Sequence, residues 1–160
     1  MNLAVDIQCA SSEAVPDEDD LRSWIAAVLT NQQRSGDAEV CVRLVDLAEM
    51  STLNLDYRSK TGPTNVLSFP ADLPGELDLP LLGDIVICAP VVRTEAAAQG
   101  KQLAAHWAHM TVHGTLHLLG YDHIEEDEAI VMEALESTIL ASLGYPCPYR
   151  VDPAQRSASA

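Results

Sequence analysis

The stretch from Lys101 to Leu119 has almost no polar face. At helical spacing, Leu103, Trp107, Met110, Gly114 and Leu118 line one side, and Ala105, Val112, Leu116 and Leu119 another. A helix that is apolar nearly all round must be covered on most sides, so the other elements have to wrap it. The chain of 160 residues is long enough to do this as one domain, burying roughly 68–70% of the surface its unfolded form exposes. A membrane span needs ~20 apolar residues in a row, and the longest purely apolar run, Trp24 to Leu29, is far shorter.

The segments around this helix read as alternating strands and helices. Leu3–Cys9 alternates as a strand. Pro16 followed by Asp17, Glu18, Asp19 and Asp20 marks a helix start, because acids complement the positive end of the macrodipole. Leu21, Trp24, Ile25, Val28 and Leu29 then form one buried face, and Gly36 closes the segment. A Val-rich strand over 39–45 follows. Asp46 is the expected N-cap of a helix reaching about Arg58, with Leu47, Met50, Leu53, Asn54 and Tyr57 at helical spacing and the apolar ones expected in the core. Residues 59–65 form a turn-rich loop flanked by Arg58 and Lys60. Val66–Phe69 is a short strand, the Pro-rich stretch 70–82 a loop, and 83–88 a fourth strand. Pro90 opens a short helix to Gly100. A last helix runs from Glu125 to Leu143, with Met132, Leu135, Ile139 and Leu143 inward, its acidic start (Glu125, Glu126, Asp127, Glu128) again suiting the macrodipole. The expected organisation is one compact domain over 1–146 and a mobile tail over 147–160.

All 5 histidines fall between 106 and 123. The run His113-Gly-Thr-Leu-His117-Leu-Leu-Gly120-Tyr-Asp-His123 places His113 and His117 at i and i+4, on one helix face. Two imidazoles a turn apart can reach one metal ion at ~2.0–2.1 Å each. Gly120 allows the chain to turn sharply, so that His123 can fold back as a third ligand. Three neutral imidazoles leave a fourth position open, as catalytic zinc sites do. Nickel, copper or iron also accept imidazole, but zinc, one per chain, is the expected ion. His109 lies about 12 Å along the axis from His117, too far for both to hold one ion, and is read as supporting a ligand or packing in the core. His106 is read as a neutral neighbour. The spacing also matches the metzincin proteases, whose first histidine is followed by a Glu that activates water. Here that position is Gly114, which counts against a peptidase.

Charge sets a further limit. Lys+Arg is 9 against Asp+Glu 24, a net of −15. Such a field repels polyanions, and aromatics at 4% leave little for a base-stacking platform. Any nucleic-acid chemistry must come from a local site. No Lys or Arg precedes Arg22, so no secretory leader is expected, and the reading is cytoplasmic with no membrane partner. The 4 cysteines form no C-x-x-C pair and read as free thiols, with Cys9, Cys41 and Cys88 buried in strands.

The histidine run resembles the signature of the bacterial YbeY family, single-strand-specific metallo-endoribonucleases that mature ribosomal RNA. Leu53-Asn-Leu-Asp-Tyr-Arg58, Lys60, Thr64-Asn-Val-Leu-Ser-Phe-Pro70, Leu82-Gly-Asp-Ile-Val-Ile87 and Leu143-Gly-Tyr145 extend the resemblance, in order, over about residues 3–149. The resemblance implies an α/β (α+β) fold, with a four-stranded mixed sheet covered by about five helices and the metal-bearing helix central. It implies His113, His117 and His123 as zinc ligands and Arg58 as the functional arginine facing the metal cleft, so that Arg58 and His113 carry the chemistry. It also implies single-stranded RNA as substrate, small-subunit ribosomal RNA 3′-end processing and ribosome quality control. The small ribosomal subunit and an Era-type GTPase are the implied partners, and DNA is not.

The chemistry suits those residues. Zinc polarises a phosphoryl oxygen and lowers the pKa of a water, and the planar fork of Arg58 fits a phosphate. Lys60 is a second candidate contact to substrate. The alternative for Arg58 is a surface ion pair at a helix end. Asp122 reads either as a carboxylate orienting a ligating histidine or as a turn residue. Tyr121 reads as packing. A non-catalytic ribosome-assembly factor whose metal stabilises the fold is the remaining alternative.

Overall fold

A computed structural model describes residues 2–71, 80–122 and 124–149. The strands are β1 (Leu3–Cys9), β2 (Ala38–Val45), β3 (Val66–Pro70) and β4 (Leu81–Cys88). The helices are α1 (Glu18–Asn31), α2 (Leu47–Arg58), α3 (Ala89–Gln99), α4 (Leu103–Leu118) and α5 (Glu126–Ser142). The strands form one mixed sheet in the order β1-β2-β4-β3, with β1, β2 and β4 parallel and β3 antiparallel to β4. This is the α+β domain expected from the sequence. No described helix is long and apolar enough to cross a membrane.

Alternation along the strands divides the core between the two sheet faces. Val40, Val42 and Leu44 of β2 and Ile85 and Ile87 of β4 pack with Leu21, Trp24, Ile25, Val28 and Leu29 of α1 and with Trp107, Val112 and Leu116 of α4. On the opposite face Val45, Leu67, Val86 and Cys88 meet Met50 of α2. α4 touches α1, α3 and α5 as well as β3 and β4, which is the surround that a helix without a polar face requires. Leu103 and Ala104, in its first turn, depart from that pattern and are exposed.

The acid-rich starts of α1 and α5 are as expected, with Glu18, Asp19 and Asp20 in one first turn and Glu126, Asp127 and Glu128 in the other. Asp46 occupies the N-cap position of α2 but does not cap it with its side chain. Its carboxylate instead accepts from Ser11 Oγ (2.5 Å) and from the Ser12 backbone N–H and Oγ (3.0 Å each), tying the end of β1 to α2. The expected apolar face of α2 is also only partly buried. Met50 and Asn54 are inside, whereas Leu47 and Tyr57 are exposed. The cluster beneath α2 is small, so it accommodates a narrow stripe of the helix. Cys88 is buried, but Cys9 is exposed and Cys41 half-buried, against expectation. β1 is an edge strand and Cys9 is its last residue, so nothing covers it. Cys9, Cys41 and Cys88 are free thiols.

Gly83 of β4 pairs with Pro70 of β3, and the two backbones meet closely there. The Gly83 φ is +144°, and a Cβ there would lie 2.3 Å from the Phe69 carbonyl oxygen. Backbone cannot yield as a side-chain tip can. Gly83→Ala should therefore lower unfolding stability by roughly 3 kcal/mol, from strain and overpacking together. A urea titration should show an earlier midpoint, and an unchanged midpoint would contradict the close approach.

Candidate metal and phosphate cleft

α4 carries four of the histidines, and the sheet determines where they point. Gly114 faces β3 and β4: a Cβ at this position would lie 2.9 Å from Ile85 Cγ2, 3.2 Å from Ser68 Oγ and 3.3 Å from Val66 Cγ2. Ser68 Oγ donates to the Gly114 carbonyl at 2.9 Å. With position 114 against the sheet, His113 and His117 fall along the border of α4 and β3, half-buried, at the floor of an open cleft of about 350 Å³. Arg58, Lys60, Thr64, Asn65 and Ser68 line the same cleft.

His113 Nε2 and His117 Nε2 are 3.2 Å apart. Two imidazole nitrogens bound at ~2.0–2.1 Å to one tetrahedral zinc would be about 3.3–3.4 Å apart. The donor type and the separation therefore both fit a shared ion. Behind the pair, His113 Nδ1 lies 2.7 Å from Glu136 Oε1, the arrangement in which a carboxylate orients a ligating imidazole. His123, the third ligand read from the sequence, lies outside the described residues. Among the described residues no group of three or more His, Cys, Asp or Glu converges as a metal site.

The segment bearing Arg58 and Lys60 is held by backbone and amide contacts. α2 ends with Ser59 in the left-handed region (φ 55°), and the Ser59 and Lys60 N–H groups return to the Leu55 and Asn54 carbonyls. The buried Asn54 side chain donates to the Gly62 carbonyl at 2.8 Å, pinning the loop. At the far end of the loop Asn65 Nδ2 donates to Glu95 of α3 (3.1 Å), and Asn65 Oδ1 accepts from the Val66 N–H (2.7 Å). Arg58 and Lys60 thus project from a closed turn. Arg22, Arg43 and Arg93 are in ion pairs with Glu18, Glu49 and Glu13. Neither Arg58 nor Lys60 is in an ion pair among the described residues, so the helix-end ion pair considered for Arg58 is not formed there.

The remaining predicted residues fall into place around this frame. His109 is buried, its Nε2 3.2 Å from Glu136 Oε2, and it also lines the cleft. His106 is buried and bonds Glu95 at 2.9 Å. Burial pushes its pKa down, partly offset by Glu95, so it is held neutral. Tyr121 packs against the core and donates to Gln32 at 2.6 Å. Asp122 is half-buried just beyond α4.

Sequence reasoning missed Glu136 altogether. It is fully buried, and Tyr149 also donates to it, at 2.6 Å to Oε2 and 3.1 Å to Oε1. Burial pushes the Glu136 carboxyl up, but the hydrogen bonds from His109 and His113 outweigh this and bring it down to about 2. Burial and the adjacent carboxylate push the Tyr149 hydroxyl up, so it stays a donor. A signal did exist: Glu136 lies one turn from both Met132 and Leu140, on the apolar stripe of α5. Of the tail expected over 147–160, residues 150–160 lie outside the described residues. Tyr149 holds Glu136, and Cys147 Sγ lies 3.3 Å from Ser137 Oγ.

The family described as Endoribonuclease YbeY matches residues 6–144. The chain belongs to the YbeY endoribonuclease family. It is 60% identical over 151 residues to Endoribonuclease YbeY of Pseudomonas putida, covering 94% of this chain and 95% of that one. The corresponding protein of Stutzerimonas stutzeri is 59% identical over 151 residues, covering 94% and 93%. The fold is also that of a Thermotoga maritima protein solved in solution, with a TM-score of 0.54 at 24% identity, covering 88% of this chain and 91% of that one. YbeY relatives are named for cutting RNA internally, and the cleft is lined by imidazoles together with two cations.

Gly114 is where this cleft depends on packing. Gly114→Ala gains ~1 kcal/mol of helix propensity but must displace the Ile85 methyl, and overpacking costs ~1–3 kcal/mol. A net loss on the order of 1 kcal/mol is expected in urea unfolding. A stabilised variant would show that α4 does not rest on the sheet at this point.

Proposed function

We propose that the protein is a zinc-dependent endoribonuclease that hydrolyses phosphodiester bonds of single-stranded RNA. The observation that carries this reading is the meeting, in one cleft, of the His113–His117 nitrogen pair with Arg58 and Lys60. His113 and His117, with His123, hold the ion. When bound, zinc polarises a phosphoryl oxygen and lowers the pKa of a water towards ~7. The Arg58 guanidinium binds the phosphate through paired N–H donors and stabilises the charge that develops on it. Lys60, on the same turn, adds a second positive charge to hold the incoming strand. Everywhere else the −15 field opposes RNA, so the strand is drawn to this cleft.

The finer assignment rests on the family. The substrate is small-subunit ribosomal RNA near its 3′ end, the setting is ribosome maturation and quality control in the cytoplasm, and the partners are the small ribosomal subunit and an Era-type GTPase. A peptidase has less support. Its water-activating Glu would have to occupy position 114, which faces Ile85, Ser68 and Val66 of the sheet, so a side chain there is crowded.

Purified protein should cut single-stranded RNA, lose that activity to a chelator and regain it with added zinc. Casein should stay intact throughout. His113→Ala, His117→Ala and His123→Ala should each release most of the bound zinc, while His109→Ala retains it. Zinc lost from His109→Ala but kept by His123→Ala would overturn the ligand set.

Arg58→Ala should leave zinc content unchanged and move thermal stability little, since an exposed charge contributes ~0–1 kcal/mol to folding. RNA cleavage should fall by roughly 10²-fold or more, the loss expected when one transition-state donor is removed. Arg58→Lys should recover only part of it, because a point charge lacks the bidentate fork. Near-normal cleavage by Arg58→Ala would move the phosphate contact to another residue.

A further inference from the structure

Glu136 reaches His113 from the side opposite the cleft. Its two oxygens are occupied by three donors: His113 Nδ1 at 2.7 Å and Tyr149 OH at 3.1 Å on Oε1, with Tyr149 OH at 2.6 Å and His109 Nε2 at 3.2 Å on Oε2. The donors come from α4 and from the segment after α5, and the side chain itself is fully buried on α5.

Stability alone does not account for this arrangement. Position 136 lies on an apolar stripe between Met132 and Leu140, where a leucine would pack without desolvating a charge. A buried carboxylate is a poor device for holding two helices together. It does, however, determine which imidazole nitrogen carries the proton. With a carboxylate oxygen 2.7 Å away, Nδ1 must be the N–H, because an Nδ1 lone pair would face another lone pair. The Nε2 of His113 then presents its lone pair to the cleft, on the side of His117.

We propose that Glu136 is a positioning residue of the metal site, fixing His113 in the Nδ1–H tautomer and in the orientation that presents Nε2 to the ion. The inference rests on the metal reading above. His109 and Tyr149 act one step further out: their donors keep the buried carboxylate ionised and in place. Tyr149 lies beyond the segment matched by the family, 6–144, so part of this support comes from the segment following the last helix.

The experiment uses the full chain, stripped of metal and titrated with zinc against a competing chromophoric chelator. Glu136→Gln keeps size and shape but places an N–H among the donors. It should bind zinc 10–100-fold more weakly than the unaltered chain, the usual consequence of losing such a support. Thermal unfolding of the metal-free proteins is measured alongside. Equal zinc affinity with reduced stability would show that Glu136 only joins α5 to α4, and would overturn the proposal. If the variant does not fold, the unaltered metal-free protein still decides. Imidazole ¹⁵N shifts should report the Nδ1–H tautomer at His113, and an Nε2–H tautomer there would overturn the proposal. Failure of the unaltered chain to bind zinc would defeat the metal reading instead, while the tautomer would still test the hold of Glu136 on His113.

Discussion

The close seating of α4 on the sheet at Gly114 is the contact on which the rest depends. A helix turns about 100° per residue, so once position 114 faces Ile85 and Val66, His113 and His117 must lie to one side, at the border with β3. The Ser68 hydroxyl on the Gly114 carbonyl holds the same seating from the strand. Two consequences follow from the missing side chain. The imidazole pair reaches a cleft instead of the core, and no carboxylate can stand next to the first ligand as it does in the metzincins. The glycine that looks from the sequence like a lost catalytic group is favoured by packing.

Electrostatics then separates the cleft from the rest of the surface. The net charge is −15, and three of the arginines are engaged by Glu18, Glu49 and Glu13. Arg58 and Lys60 stand on a turn closed by the Ser59 left-handed residue and by the Asn54 amide on Gly62. Asn65 is braced by Glu95, which also holds His106 on α4. Both parts of the cleft are therefore anchored to the helix that carries the histidines, and little reorganisation is needed when an anion arrives. Preorganised charge of this kind is worth more in a cleft than in open water.

Periodicity made most of the fold legible. The faces of α1 and α4 and the alternation of β2 and β4 are dictated by burial against near neighbours, which a local pattern records. It failed where a partner is remote or a layer incomplete. Tyr57 has helical spacing but sits over the edge of a small cluster and is exposed. Asp46 has the residue type and position of a cap, yet Ser11 and Ser12, far away in sequence, take its carboxylate. Cys9 looks like a core residue until β1 is known to be an edge strand. In the site, H-x3-H spacing was enough to pair His113 with His117. The rest of the cleft was not readable from spacing, since only folding brings a turn after α2 into one cleft with α4. Glu136 was visible as an acid on an apolar stripe, but its meaning lies in His113 and His109, 23 and 27 residues away.

The position of His113 between two kinds of charge follows from all of this. On one side is a fully buried carboxylate, and the cleft that His113 shares with Arg58 and Lys60 carries a guanidinium and an ammonium. A neutral imidazole in that field is polarised in one sense, with its proton drawn inward to Glu136 and electron density directed outward through Nε2. The Nε2–H tautomer would instead set the Nδ1 lone pair against the carboxylate, an unfavourable contact. Burial of Glu136 keeps water from screening the inner contact, and the donors from His109 and Tyr149 keep the carboxylate ionised. A residue on the apolar face of α5 thereby controls the chemistry of a cleft it does not line.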